Sequence, residues 1–392
     1  MTPTGLCRLI KGQLSRRGLW CAPLFLNKSR PERFIMSGRS ITRRRSPGPV
    51  RTGDLTQRLL IGLMVLVVVL VNKTTATAPV GGISAAAALV AQKAPGFVTP
   101  RTPWGDPDLN GIWPSIDMVR VPMQRPAIYG SRLFMTALEH GVLEKQEQER
   151  IVQMANEGAG GATGAPGHWV EWGKSQRQTS LIVDPPDGHL PALTPAGQAR
   201  AAAAPRGTMG AAPLNGPEDF TMWERCLSRG ALGSTLPVLY NSGIDITQGP
   251  EVIAIRYEMV HDQRIIPLDG RPHLAASIRQ YMGDARGRWE GDTLVVETTN
   301  FTDRIGVGLS GGGTPNSPSM RLVERFTRTS KDTIRYIATV DDPETWTAPW
   351  TVAFPLTRMP EYGMFEYACH EGNYGLRNAL SGSRAVEQLG EP

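Results

Sequence analysis

From about residue 236 onward the sequence alternates, and that alternation narrows sharply what it can fold into. Ile253, Ile255, Tyr257 and Met259 are separated by Ala254, Arg256 and Glu258. Side chains along a strand point to opposite faces in turn, so a segment of this kind buries one face and wets the other. The same period returns in Ile334, Tyr336, Ala338 and Val340. Tight turns divide these runs. Arg288–Glu297 reads as a hairpin turning at Gly291-Asp292, and Leu322–Thr329 is expected to pair with Thr333–Val340 across Ser330-Lys331-Asp332. Trp346–Leu356 and Met364–Ala368 are expected to add two more strands. Short strands joined by tight turns predict a mainly β fold, an antiparallel meander forming a barrel or a sandwich.

The segment before it is mixed. Asp108-Leu109-Asn110-Gly111-Ile112-Trp113 looks like a turn feeding a first strand, and Gly-x-Trp also opens lipocalin-like barrels. Two or three helices are expected in this half. Thr136 and Glu139 form a capping box that starts a helix running to about Asn156. Thr194-Pro195 starts a second, fading by Ala204, with a hydroxyl cap and proline at the first helical position. Asp219–Ser228 reads as a third, ending at Gly230. Gly158–Gly167 and Pro205–Pro217 read as loops. Leu181-Ile182-Val183 reads as a short strand closed by the turn Asp184-Pro185-Pro186-Asp187-Gly188.

Leu59–Val71 is an unbroken apolar run. A bilayer-spanning helix needs about 20 such residues, so the run suits the apolar region of a signal peptide. Ala76-Thr77-Ala78 supplies small residues for cleavage after Ala78. An uncleaved membrane anchor through 59–71 is the alternative, and Met36 is an alternative start. The expected organisation is a leader over 1–78, a flexible tether over 79–102, one β-rich domain over 103–385 and a disordered tail over 386–392. The chain is therefore expected to be exported, periplasmic or extracellular, touching a membrane only through the leader if that is uncleaved.

Charge supports the division. Fourteen of the 42 Lys/Arg but two of the 36 Asp/Glu lie in residues 1–78, so the remainder carries about −6 although the whole chain is +6. A mildly acidic domain without a basic stripe is poorly suited to nucleic acid, whose binding rests on phosphate neutralisation. Cys7 and Cys21 fall in the leader, which leaves Cys226 and Cys369 as an even pair in an oxidising compartment. A Cys226–Cys369 disulfide is the favoured reading. Two buried thiols or a shared metal site are the alternatives.

Several stretches are familiar together: PWGDPDLNGIW, WERCLSRG, YEMVHDQRIIPLDGRPH, RGRWEGDTLVVETTNF and FEYACHEGNYGLRNALSG. They resemble a family of secreted bacterial proteins with no established activity, over about Pro103 to Ala385. The resemblance implies export and one shared architecture, and it transfers no catalytic residue.

Polar residues concentrate in His261–Asp292 and in Glu366–Glu371. If the strands bring these together, His261, His273, Arg271, His370 and Glu371 supply the residue types for acid–base chemistry, as in a hydrolase or lyase. Adjacent strand residues face opposite ways, so the partner of each histidine should come from another strand. No cofactor is expected. A divalent metal such as zinc on His261, His273 and His370 is the alternative. Scaffold ion pairs and turn bonds account for the same residues without any chemistry. Among the tryptophans, Trp289, Trp346 and Trp350, with Tyr257, are candidates for lining a ligand pocket, against the plainer reading of core packing. The segment Glu344–Trp350 is the most pocket-like, since its apolar surface would otherwise be exposed. No nucleophile elbow, phosphate loop or dinucleotide fingerprint is present. The functional expectation is an exported protein with a small-molecule pocket, either an acid–base enzyme or a non-enzymatic envelope ligand-binding or interaction protein.

Overall fold

A computed structural model describes residues 84–156, 170–205, 207, 214–359 and 361–389. The leader with its apolar run at 59–71, the 79–83 stretch, the Gly158–Gly167 loop, Trp169, residues 206 and 208–213 of the Pro205–Pro217 loop, and residues 390–392 lie outside the described residues. No described helix is long and apolar enough to cross a membrane.

The chain is mainly β, with ten strands in two antiparallel sheets among the described residues. The first orders β1 (Gly111–Ile112), β3 (Ile244–Gln248), β4 (Val252–Tyr257) and β5 (Gln263–Pro267). The second orders β2 (Ile182–Asp184), β10 (Trp350–Thr357), β9 (Thr333–Asp341), β8 (Arg321–Ser330), β7 (Thr293–Thr299) and β6 (Asp284–Glu290). Both expected hairpins form, at Gly291-Asp292 and across Lys331-Asp332. Among the described residues no strand pairing closes the two sheets into a barrel, and the arrangement is sandwich-like.

Register explains the core. Leu294, Phe326, Tyr336 and Phe354 stand side by side across β7, β8, β9 and β10, and Val296, Glu324, Ala338 and Val352 form the next row. The Phe326, Tyr336 and Phe354 rings follow one another at 5.0 and 5.1 Å. Ile246, Ile253, Ile255 and Ile266 of the first sheet complete the same cluster. Gly287 on β6 permits the closest approach of the sheets: a Cβ there would lie 2.8 Å from the Ile266 side chain and 2.6 Å from that of Leu268.

The rear face of the second sheet is covered as well. Helix α1 (Ala85–Leu89) packs Ala87, with nearby Val90, against Val183, Ile337 and Ala353. Lys93, Thr99 and Arg101 all bind the Asp292 carboxylate. The described part of the expected tether is therefore ordered, because its small apolar residues cover a sheet face that would otherwise be wet. Double-sided burial also explains why β10 is apolar in succession rather than alternating.

The remaining helices are α2 (Ala137–Asn156), α3 (Pro195–Ala203), α4 (Gly230–Thr235) and α5 (Gly375–Leu389). The caps form as expected. Thr136 Oγ1 accepts from the Glu139 amide at 3.2 Å, and Glu139 accepts from the Thr136 amide at 2.8 Å; Thr194 caps α3 through the Gly197 amide. Three expectations fail. The Asp219–Ser228 helix is a turn, and the helix begins at Gly230 instead. Met364–Ala368 forms no strand, because Glu258 and a disulfide hold its backbone away from both sheets. Residues 386–389 of the expected tail belong to α5.

Candidate functional site

The loop from β4 to β5 backs one wall of the site, through bonds linking Glu258 and His261 to Phe365 and Tyr367. It reverses the chain through Val260 at φ 62° and His261 at φ 47°. Two successive left-handed residues, one of them β-branched, cost free energy and are found where function or packing imposes them. Asn241, ahead of β3, is also left-handed at φ 50°. Its amide donates to Glu171 Oε1 at 2.9 Å, and its side chain donates to Glu258 Oε1 at 3.0 Å. The third wall is the irregular stretch 361–374. It is held by the Cys226–Cys369 disulfide, by the Phe365 amide donating to Glu258 Oε1 at 3.0 Å, and by Tyr362.

Beside them opens a surface cavity of about 770 Å³, lined by Glu171, Tyr240, Asn241, Phe365, Tyr367 and Asn373, among others. That is the size of an ordinary small-molecule site. Beneath it lies a carboxylate cluster. The Tyr362 hydroxyl lies 2.7 Å from Glu258 Oε2 and 3.1 Å from Glu171 Oε1. Burial, the bond to Glu258 and the charge of Glu171 push the Tyr362 hydroxyl well above the usual tyrosine range. Ser242 Oγ donates to Glu171 Oε2 at 2.8 Å.

Within electrostatic reach of Tyr240 and Tyr367 is Arg229, 1% exposed. Its Nε, Nη1 and Nη2 are all buried without a hydrogen-bond partner. Burial pulls the guanidinium down to about 10, against the raising influence of Tyr240, Asp262 and Tyr367. Tyr367, bonded to Tyr240, is pushed up to about 12, chiefly by burial. Asp262 does not bond to the guanidinium. Its Oδ2 accepts from Ser228 Oγ at 2.9 Å and from the Arg229 backbone amide at 3.2 Å, and burial raises its pKa. Gly311, at φ 67°, seals the Arg229 backbone from the other side: a Cβ there would lie 2.8 Å from the Arg229 carbonyl oxygen. The glycine run at 311–313 thus serves backbone packing.

The residues expected from sequence divide between two places. His261 stands at the cavity wall, where Nδ1 lies 3.1 Å from the Tyr367 carbonyl oxygen. His370 and Glu371 are exposed in the turn after Cys369. Arg271 and His273 lie on the β5–β6 connection, outside the cavity lining. Arg271 is exposed and paired with Asp269 of its own turn. His273 Nδ1 lies 2.9 Å from Asp284 Oδ2 at the start of β6, a contact between a connecting loop and the strand that follows it. Among the described residues no group of three His, Cys, Asp or Glu could hold a metal ion.

Trp346 and Trp350 are 2% and 1% exposed and meet edge to face at 5.6 Å, so the apolar patch expected there is packed into the core. Trp289 packs at the core margin. Tyr257 belongs to a buried polar network in which Arg264 makes a bidentate pair with Glu324, at 2.6 and 3.0 Å, with bonds to Thr298 and Tyr336 around it.

Sequence reading missed Arg229, Tyr240, Glu171 and Tyr362. Arg229 stands beside a half-cystine and a glycine in WERCLSRG, but nothing local distinguishes a buried arginine from a surface one. The aromatic and amide groups of FEYACHEGNY were the available signal for the third wall. No protein-family model matches the chain, and no curated protein and no solved structure matches it.

Proposed function

We propose that this is an exported protein that binds a small organic molecule in the cavity between residues 240–241 and 365–373. The observation that carries the reading is the cavity itself: about 770 Å³, bordered by left-handed backbone at Asn241, and walled by a segment clamped through a disulfide. Strained backbone beside a polar–aromatic cavity is the usual mark of a site, because such geometry is retained where something depends on it. Export rests on the apolar run at 59–71 and agrees with the disulfide. We assign the finer fold as a sandwich with its site at the sheet margin. A lipocalin-like interior is less suited, since Arg264, Glu324, Tyr257 and Tyr336 fill the space between the sheets.

Acid–base catalysis in the same cavity is the second reading, favoured by one tyrosine hydroxyl lying between the carboxylates of Glu171 and Glu258. Both readings are tested by ligand-observed fluorine NMR with fluorinated aromatic fragments. Fragment signals should broaden with the native protein and sharpen again with Ala368→Trp, which plugs the cavity from its exposed wall. New product signals mark turnover; unaltered fragments mark binding alone. Equal broadening with the plugged variant would remove the cavity from consideration.

A further inference from the structure

Arg229 has a defect that calls for an explanation. Nearly all buried polar groups in proteins have a partner, and a buried cation without one is costly. Here the three guanidinium nitrogens lack one. The carboxylate within electrostatic reach, Asp262, is turned to Ser228 and to the Arg229 backbone. Tyr240 and Tyr367 line the cavity, are bonded to each other, and both lie within reach of the Arg229 charge.

We infer that Arg229 is the anion-recognition point of this cavity and that the ligand is an organic monocarboxylate with an apolar or aromatic body; this rests on the binding reading above. A carboxylate entering between Tyr240 and Tyr367 takes over their mutual hydrogen bond. It receives two hydroxyl donors and meets the planar guanidinium fork, whose geometry matches a carboxylate in two parallel bonds. Phe365 and the phenol rings supply the apolar wall for the rest of the molecule. Glu171 on the same wall sets the charge limit, since its carboxylate opposes a dianion such as phosphate. Tyr367 stands in a stretch without regular secondary structure, so admitting the ligand breaks no strand pairing.

The test compares benzoate with benzamide, equal in shape and different in charge, by titration calorimetry on the purified protein, with inorganic phosphate as a third probe. Benzoate should bind at least about tenfold more tightly than benzamide, the worth of hydrogen bonds to a charged group. Arg229→Met should make the two ligands alike, and it should fold, since an apolar side chain of similar length replaces an unpartnered buried charge. Should that variant not fold, Tyr240→Phe removes one hydroxyl and should narrow the benzoate preference severalfold. Equal affinity of the native protein for benzoate and benzamide would overturn the anion site and leave the cavity reading standing. Binding of neither would end both. Phosphate as tight as benzoate would overturn the carboxylate assignment and mark an adventitious anion only.

Discussion

Arg264 and Arg229 are buried almost equally, 3% and 1% exposed, and the fold treats them in opposite ways. Arg264 rises from β5 into the space between the sheets and is met there by both oxygens of Glu324, by Thr298 and by Tyr257. Although burial works against its charge, Glu324 and Tyr257 hold its pKa above the ordinary range. Arg229 sits just ahead of α4 with no hydrogen-bond partner on its guanidinium among the described residues, and burial wins. The first cation joins two sheets whose strands do not pair with each other. The second makes no bond of that kind, and two residues that line the cavity, Tyr240 and Tyr367, lie within reach of its charge. The fold therefore separates the charge it uses to hold itself together from the charge it keeps for something else.

The largest expected effect breaks the structural member of the pair. Glu324→Gln leaves Arg264 buried with a neutral acceptor, and loss of one partner of a buried pair costs about 3–5 kcal/mol. Urea unfolding should report that loss, while Arg229→Met should lose far less or gain stability. Equal losses in the two variants would mean that both arginines are scaffold, and the distinction would fall.

How much of this was legible in sequence follows from the range of the interactions involved. Period-two alternation in Val252–Tyr257 and Thr333–Asp341 is local, and both are strands. The helix caps are local, and both helices start where their hydroxyls predict. The cysteine pairing needed only a count and a compartment. The errors arose where distant contacts decide. Residues 84–102 look like a tether until Ala87 meets Ala353 and Asp292 gathers Lys93, Thr99 and Arg101. Met364–Ala368 looks like a strand until Glu258 and Cys226 draw it off the sheets. For the site, histidine-rich stretches drew the reading to His273 and Arg271, whose partners are structural. The cavity is instead assembled from residues 171, 240–241 and 365–373, which are brought together by tertiary contacts alone.

A second and smaller contrast sharpens the same point through pH. Burial alone would raise the Asp284 carboxyl, but the Leu274 amide, His273 and Arg286 outweigh it and hold the group below the ordinary aspartate range. A carboxyl depressed in the folded state stabilises above its unfolded pKa, and that contribution is lost as pH falls through the folded value. Asp262, raised by burial, has the opposite sign: the folded form holds its proton to higher pH than the unfolded chain, so its contribution declines as pH rises through the raised value. Asp284→Asn should cost about 1.5–3 kcal/mol at neutral pH, the range for hydrogen bonds to a charged group, and flatten the acid limb of the stability curve. Asp262→Asn should flatten the limb above the ordinary aspartate range instead. Matching curves for the two variants would show that the site and scaffold carboxylates are not differently placed.

The smallest effect is expected at a third arginine, and it decides whether geometry or burial separates the first two. Arg132 grips Glu139 with two bonds, each 2.7 Å, nearly the arrangement that joins Arg264 to Glu324. Both side chains stand substantially in water at the start of α2. The bond to Arg132 and those to Thr136 bring the Glu139 carboxyl down to about 2, yet solvent screens what such a pair adds to folding. Arg132→Met should leave the urea midpoint where it is, because the capping bonds between Thr136 and Glu139 do not need the guanidinium. If it shifted the midpoint as far as Glu324→Gln, two-pronged geometry alone would carry the stability. The orphaned guanidinium of Arg229 would then differ from Arg264 only in lacking a fork partner, and its burial would say nothing about what enters the cavity.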